Sequence, residues 1–124
     1  MELIYQLDQT MIDSAGPEQR LVQKLFSRAT GAANAAVSWI QTPAGEGSPD
    51  GLHFHDFDQI FYVLSGEMHV EQDGVVTVVG PGGLVVFPKG CAHRNWNDGV
   101  VPTRHLSITA PAPDPSLPFS HELG

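Results

Sequence analysis

The sequence predicts an all-β fold, a barrel or sandwich of short strands, on three observations. Apolar runs of strand length recur between turn markers along most of the chain. The 13 glycines and 10 prolines supply those markers, while the hydrophobic fraction of 41% is too high for a disordered chain. Several runs also alternate apolar and polar residues with the period of two that a half-buried strand requires.

Taken in order, residues 3–7 read as a leading strand. Residues 20–26 fit two patterns: Leu21, Val22, Leu25 and Phe26 share a helical face, whereas Leu21, Gln23 and Leu25 alternate as in a strand. Residues 31–34 break that element, and residues 35–41 form a strand ended by Pro43-Ala44-Gly45. His53 and His55 belong to a short strand that bends at Asp56-Phe57-Asp58. Residues 59–65 and 67–72 make a hairpin around Gly66, and Asp73-Gly74 turns the chain into a strand over 75–79. After the loop Gly80-Pro81-Gly82-Gly83 come a strand over 84–87, the turn Pro88-Lys89-Gly90 and a strand starting at His93. Asn97-Asp98-Gly99 turns the chain toward the last long strand, 103–109. Residues 111–118 hold Pro111, Pro113, Pro115 and Pro118 and read as an extended tail, loose or wrapped on the outside.

This layout gives the histidines a chemical meaning. On a strand, residues two apart point the same way, so His53 and His55 converge while Phe54 faces the other side. Gln59 shares their parity and can return to the same cavity from the next strand. His93 arrives from the strand that follows the Pro88 turn. Three imidazoles and an amide oxygen suit a divalent first-row metal such as Fe, Mn, Ni or Zn, with positions left open to a ligand.

The same residues resemble the two motifs of the cupin superfamily. Gly47, His53, His55, Gln59 and Gly66 follow the pattern Gly-x5-His-x-His-x3-4-Glu-x6-Gly; Gly82, Pro88, Gly90, His93 and Asn97 follow Gly-x5-Pro-x-Gly-x2-His-x3-Asn. The one departure is Gln59, where the family usually carries Glu. The resemblance implies a double-stranded β-helix, or jelly-roll barrel, in one domain spanning 1–124. Its barrel core would cover about 34–110, with an N-terminal extension over 1–33 and a tail over 111–124. It favours a strand for residues 20–26, a leading strand that pairs with a neighbouring subunit, and a homodimer. It also implies metal ligation by His53, His55 and His93. Gln59 either ligates the ion or hydrogen-bonds a water or a histidine beside it. A three-histidine centre of this kind resembles those of iron dioxygenases acting on small carbonyl or phenolic compounds. The expected function is a metal-dependent oxygenase for an enolizable dicarbonyl or a phenol. A non-catalytic small-molecule binder and a metal-dependent isomerase or lyase are the alternatives.

If Gln59 faces inward, Phe61 and Val63 share its parity and line the cup with it, and Tyr62 faces out. Trp39, Phe87 and Trp96 are candidate aromatic walls. His105 lines the barrel if Ser107 and Thr109 face inward; His69 is expected to face solvent and His121 to lie in the tail. Asp56 and Asp58 sit near the mouth as loop carboxylates or candidate bases. A net charge of -8 argues against nucleic acid and anionic membranes as partners, leaving a small molecule. A single cysteine, Cys91, excludes an internal disulfide. With no membrane-spanning apolar run and no basic leader in residues 1–11, a cytoplasmic location is expected.

Overall fold

Ten strands among the described residues pair into two antiparallel five-stranded sheets in a computed structural model that describes residues 3–47 and 51–123. Pro49, one of the expected turn markers, lies outside them. The strands are β1 (Leu21–Phe26), β2 (Ala36–Thr42), β3 (His53–Phe54), β4 (Asp58–Ser65), β5 (Met68–Gln72), β6 (Val75–Val79), β7 (Leu84–Phe87), β8 (His93–Trp96), β9 (Thr103–Ala110) and β10 (His121–Glu122). One sheet has the order β1-β2-β9-β4-β7 and the other β10-β3-β8-β5-β6. The all-β class and nearly every strand therefore fall where the alternation and turn markers place them. Residues 20–26 resolve as a strand because β1 finds a partner in β2, with Val22 opposite Ile40 and Lys24 opposite Ser38.

The hairpin expected around Gly66 does not form: β4 pairs with β7 and β9 in one sheet and β5 with β6 and β8 in the other, so Gly66 carries the chain from sheet to sheet. Three segments also differ from expectation. Residues 3–7 form no strand; Leu3 and Tyr5 instead rest on the 26–31 region, where the Tyr5 ring lies near Phe26 and its hydroxyl donates to the Thr30 carbonyl. A helix, α1 (Gln9–Ala15), follows, started by Asp8, whose carboxylate accepts from the Met11 amide at 3.0 Å. Its one buried residue, Ile12, is too little pattern for a helix to be legible in the sequence. The tail does not stay outside: β10 pairs with β3, His121 opposite Phe54, and His121 also forms an ion pair with Asp56 at 2.7 Å. No helix among the described residues is long and apolar enough to cross a membrane.

The barrel is packed at one end and hollow at the other. Phe61, Val63, Met68, Val70, Val85 and Phe87 form the apolar core, with Val63 and Met68 wholly buried; burying such side chains contributes about 1.5–3 kcal/mol each. β9 runs through both regions with an inverted pattern. Thr103, His105, Ser107 and Thr109 point inward and are buried, while Leu106 and Ile108 point outward. Polar residues facing in require a polar cavity, and apolar residues facing out leave a surface that water does not favour.

Candidate metal centre

His53 and His93 sit directly opposite each other on β3 and β8, and His55 follows His53 on the same side of the chain. The turn that delivers His93 is tied to the first motif. The Gly90 amide donates to the His55 carbonyl at 2.9 Å, the Lys89 amide donates to the Asp58 carboxylate at 2.9 Å, and Gly90 takes the left-handed φ of +81° that the turn needs. Asn97, the last motif residue, is buried and clamps the far end of β8. Its Nδ2 donates to the Thr42 and Val101 carbonyls at 3.1 and 2.8 Å. Asp58 and Asn97 thus have structural roles here.

The three histidines are all buried, and their ligand nitrogens lie within 4.8 Å of one another. Each Nδ1 faces a backbone carbonyl: Gly51 at 2.5 Å for His53, Phe119 at 2.9 Å for His55 and Cys91 at 2.9 Å for His93. A carbonyl only accepts, so each Nδ1 carries the proton and the lone pair of the neutral ring is at Nε2. Burial pushes His93 down to about 4, against the Cys91 carbonyl that favours its charged form, with His53 and His55 adding to the lowering. The set is thus three imidazoles anchored on one nitrogen and offering the other, the arrangement a divalent transition ion binds. Nitrogens on one such ion lie within about 4 Å of each other, so small side-chain rotations complete the set.

Gln59 joins them. Its Oε1 is 3.0 Å from His93 Nε2, and its Nε2 donates to Ser107 Oγ at 3.0 Å. Two acceptors at 3.0 Å repel unless a cation lies between them or the amide turns so that its NH2 donates to Nε2. The first arrangement makes Gln59 a ligand and the second makes it a hydrogen-bonding neighbour. In both, the residues present fit a metal.

A cavity of about 420 Å³ opens beside the cluster, bordered by His53, His55, Gln59, Phe61 and His105 among the residues singled out in the sequence. Trp39 and Trp96 do not border it. They have the opposite parity to the wall residues Ser38, Ile40 and Asn95 on the same strands, so they lie on the far side of the sheets from the cavity, Trp39 buried there beneath Arg104 and Trp96 against His69. His69 is therefore half-buried against Trp96, not a plain solvent residue. Val63 faces inward but is consumed by the apolar core one row beyond the cavity. Phe87 backs the histidine cluster: its ring stacks on His93 at 3.9 Å and 10°.

Sequence reasoning missed other wall residues. Asn95 was accessible, since it shares the parity of His93 on β8. Val22 and Lys24 on β1, and Arg20 just before it, border the cavity; the inner face of that strand became evident only when it was paired. Phe119 had no sequence signal at all. It comes in from the tail, lines the cavity, holds His55 through its carbonyl and lays its ring against that histidine at 4.9 Å. A second hollow of about 320 Å³ beside Leu3, Tyr5 and Phe26 is bordered by no His, Cys, Asp or Glu among the described residues.

The cupin domain family model matches residues 38–109. Solved structures share the fold. The polyketide cyclase RemF from Streptomyces resistomycificus is 22% identical with a TM-score of 0.70, covering 88% of this chain and 74% of its own. An RmlC-like cupin family protein with a double-stranded β-helix fold from Methanocaldococcus jannaschii is 18% identical with a TM-score of 0.73, covering 90% and 93%. KdgF from Halomonas is 20% identical with a TM-score of 0.64, covering 77% and 82%. No curated protein matches the chain in sequence. With the motif histidines clustered at the open end of a double-stranded β-helix, and the domain model spanning more than half of the sequence, the chain belongs to the cupin family.

Proposed function

We propose that this cupin is a metal-dependent oxygenase acting on a small enolizable dicarbonyl or phenolic compound. The observation that carries the reading is the donor set: three imidazoles and an amide oxygen, with no carboxylate among the described residues that border the cavity. A divalent ion held there presents its full charge to the cavity and supplies Lewis acidity and, for Fe, Mn or Ni, an electron path to O2. His53, His55 and His93 would hold the ion, with Gln59 Oε1 as a fourth donor. Phe61 contributes an apolar wall and Phe87 fixes the His93 ring. The cavity volume suits a small molecule. Asp56 is engaged by His121 and Asp58 by the Lys89 amide, so neither is placed as a base, which weighs against an isomerase or lyase.

One observation favours a second reading, enolate chemistry without O2. His105 borders the cavity as a neutral, buried imidazole able to relay a proton, and the polyketide cyclase RemF shares the fold. Oxygen-electrode assays of metal-analysed protein with 2,4-pentanedione and with catechol separate the readings. Metal-dependent O2 uptake, abolished by a chelator, is the expected result. Substrate loss without O2 uptake would favour the second reading, and loss of neither compound would reduce the site to a binding module.

A homodimer in a cytoplasmic setting belongs to the same proposal, and the net charge of -8 supports a small molecule, not nucleic acid, as ligand. On the outer face of the sheet β1-β2-β9-β4-β7, Val37, Ile108, Ile60 and Val86 form one apolar cross-strand row, and Leu106, Tyr62 and Leu84 form a second beside the buried Trp39. Tyr62, Leu84 and Val86 are exposed. A flat apolar sheet face of this kind suits a twofold contact with a second copy. Leu106→Arg should halve the mass seen by light scattering without lowering metal content; an unchanged mass, or a monomeric parent protein, would remove the dimer from the proposal.

A further inference from the structure

The chain has six cationic side chains against 14 acidic ones, so composition alone offers little to hold an anion. The fold changes that balance locally. Lys24 on the edge strand β1 and Arg20 just before that strand share the parity of Val22 and border the cavity. Other cations are engaged elsewhere: Arg94 pairs with Glu71, Arg104 donates to Gln41, and Arg28 donates to the Ala112 carbonyl. Among the described residues, neither Arg20 nor Lys24 has a side-chain ion pair or hydrogen bond.

A second feature points into the same space. His105 is 2% exposed, borders the cavity, and has no hydrogen-bond partner at either ring nitrogen among the described residues. A buried imidazole with one donor and one acceptor unused is costly unless a ligand or water meets it. The register places Val22, Ile40 and His105 in one inner row and Lys24, Ser38 and Ser107 in the next. Neighbouring strands lie about 4.8 Å apart, so the Lys24 backbone stands roughly two spacings, ~10 Å, from β9. Ser107 in turn holds Gln59 against His93.

We infer that Arg20 and Lys24 form a carboxylate-binding rim, and that the ligand of this cavity is a small organic acid whose carboxylate meets the rim while its other oxygens reach the histidine cluster. His105 meets the body of the ligand between the two ends. Two cations on an otherwise acidic protein match one carboxylate, whereas a polyphosphate would meet repulsion from the surrounding charge. The carboxylate end is independent of the metal; only the opposite end rests on the proposed metal chemistry.

Calorimetry with 3,4-dihydroxybenzoate and its methyl ester tests the rim, because both carry the catechol and only the acid carries the charge. The acid should bind about tenfold more tightly than the ester, as expected for a charge-assisted contact at a partly open site. That ratio should shrink with added NaCl. In Arg20→Gln/Lys24→Gln the ratio should fall to about one with ester affinity kept, and each single variant should give an intermediate ratio. The readout is a ratio within one folded protein, so a general loss of stability does not imitate it. An acid that binds no better than its ester in the parent protein, including no measurable binding of either, overturns the rim, as does a tenfold ratio that survives in the double variant. His93→Ala separates the two proposals: it should weaken both compounds alike if the catechol meets a metal. If it leaves both unchanged, the metal reading fails while the acid-to-ester ratio still stands.

Discussion

Replacing His93 by alanine is expected to lower affinity for a divalent transition metal by at least about 100-fold, since removing even a neighbour of a ligand costs 10–100-fold. The ring lies between its Cys91 anchor and the face of Phe87, and no other imidazole of the chain reaches that position. The barrel should still fold, because the apolar core of Phe61, Val63, Met68 and their neighbours lies apart from the cluster. Elemental analysis of protein loaded with Fe, Mn, Ni or Zn and then dialysed checks this; full occupancy in a folded His93→Ala protein would remove His93 from the centre. The pH dependence has a defined sign. An unfolded histidine titrates near ~6.5, whereas burial keeps His93 and His105 neutral down to about 4. Between those values the unfolded chain binds more protons than the folded one. Stability of the metal-free protein is therefore fully present above about 6.5 and lost progressively as pH falls toward 4. Metal should likewise be released on acidification, because each ligand must be a neutral imidazole to bind it. Denaturant melts and metal retention measured from pH 7 to 4 read both effects, and a melt independent of pH across that range would contradict the burial of these rings.

Gly66→Ala should be among the most destabilising single changes in the chain. Gly66 links β4 to β5 at φ +76°, and a Cβ there would stand 2.6 Å from the Pro102 carbonyl oxygen and 3.0 Å from the Thr103 Cα. Both are backbone atoms, so relief requires the start of β9 to move away from the β4–β5 connection. Gly74 supplies the control: its φ is +81° and nothing lies within 4 Å of its would-be Cβ. Gly74→Ala should cost about 1 kcal/mol, the conformational term alone. Gly66→Ala adds a steric clash and should cost about 3 kcal/mol or more. At about 3–5 °C per kcal/mol for a chain of this size, thermal melts should separate the two variants by several degrees. Equal melting points would show that the close approach of Pro102 is not maintained in solution.

Much of the fold was legible because a β-strand writes its two faces into alternate residues. The β5–β6 hairpin around Asp73-Gly74, the Pro88 turn and the parity of His53, His55 and Gln59 all follow from that period, and the structure brings those last three side chains together. The hairpin expected around Gly66 failed, because local pattern shows a turn but not which sheet the next strand joins. Parity alone failed for Trp39 and Trp96, because it says that two residues share a face without saying which face is inside. On β2 and β9 the inner face is the more polar one, with Ser38, His105 and Ser107, so an aromatic residue was a misleading marker of the interior. Val63 failed differently: it does face in, but at the packed end of the barrel. The leading strand over 3–7 and the outside tail failed because their structure depends on distant partners, Phe26 and Thr30 for the first and β3 for the second.

The sequence by itself determined the strand class, the family and the histidine cluster, because glycine and proline turns and a period of two are local properties, and the ligand spacing lies within two short motifs. Tertiary structure decided what surrounds that cluster. Arg20 and Lys24 lie far from His53 in sequence and border the cavity only because β1 adds to the edge of β2. Phe119 reaches His55 only because β10 folds back onto β3. Side-chain parity is set by the nearest peptide bonds, but the neighbours across a cavity are set by strand pairing between residues tens of positions apart, and no local pattern encodes that pairing.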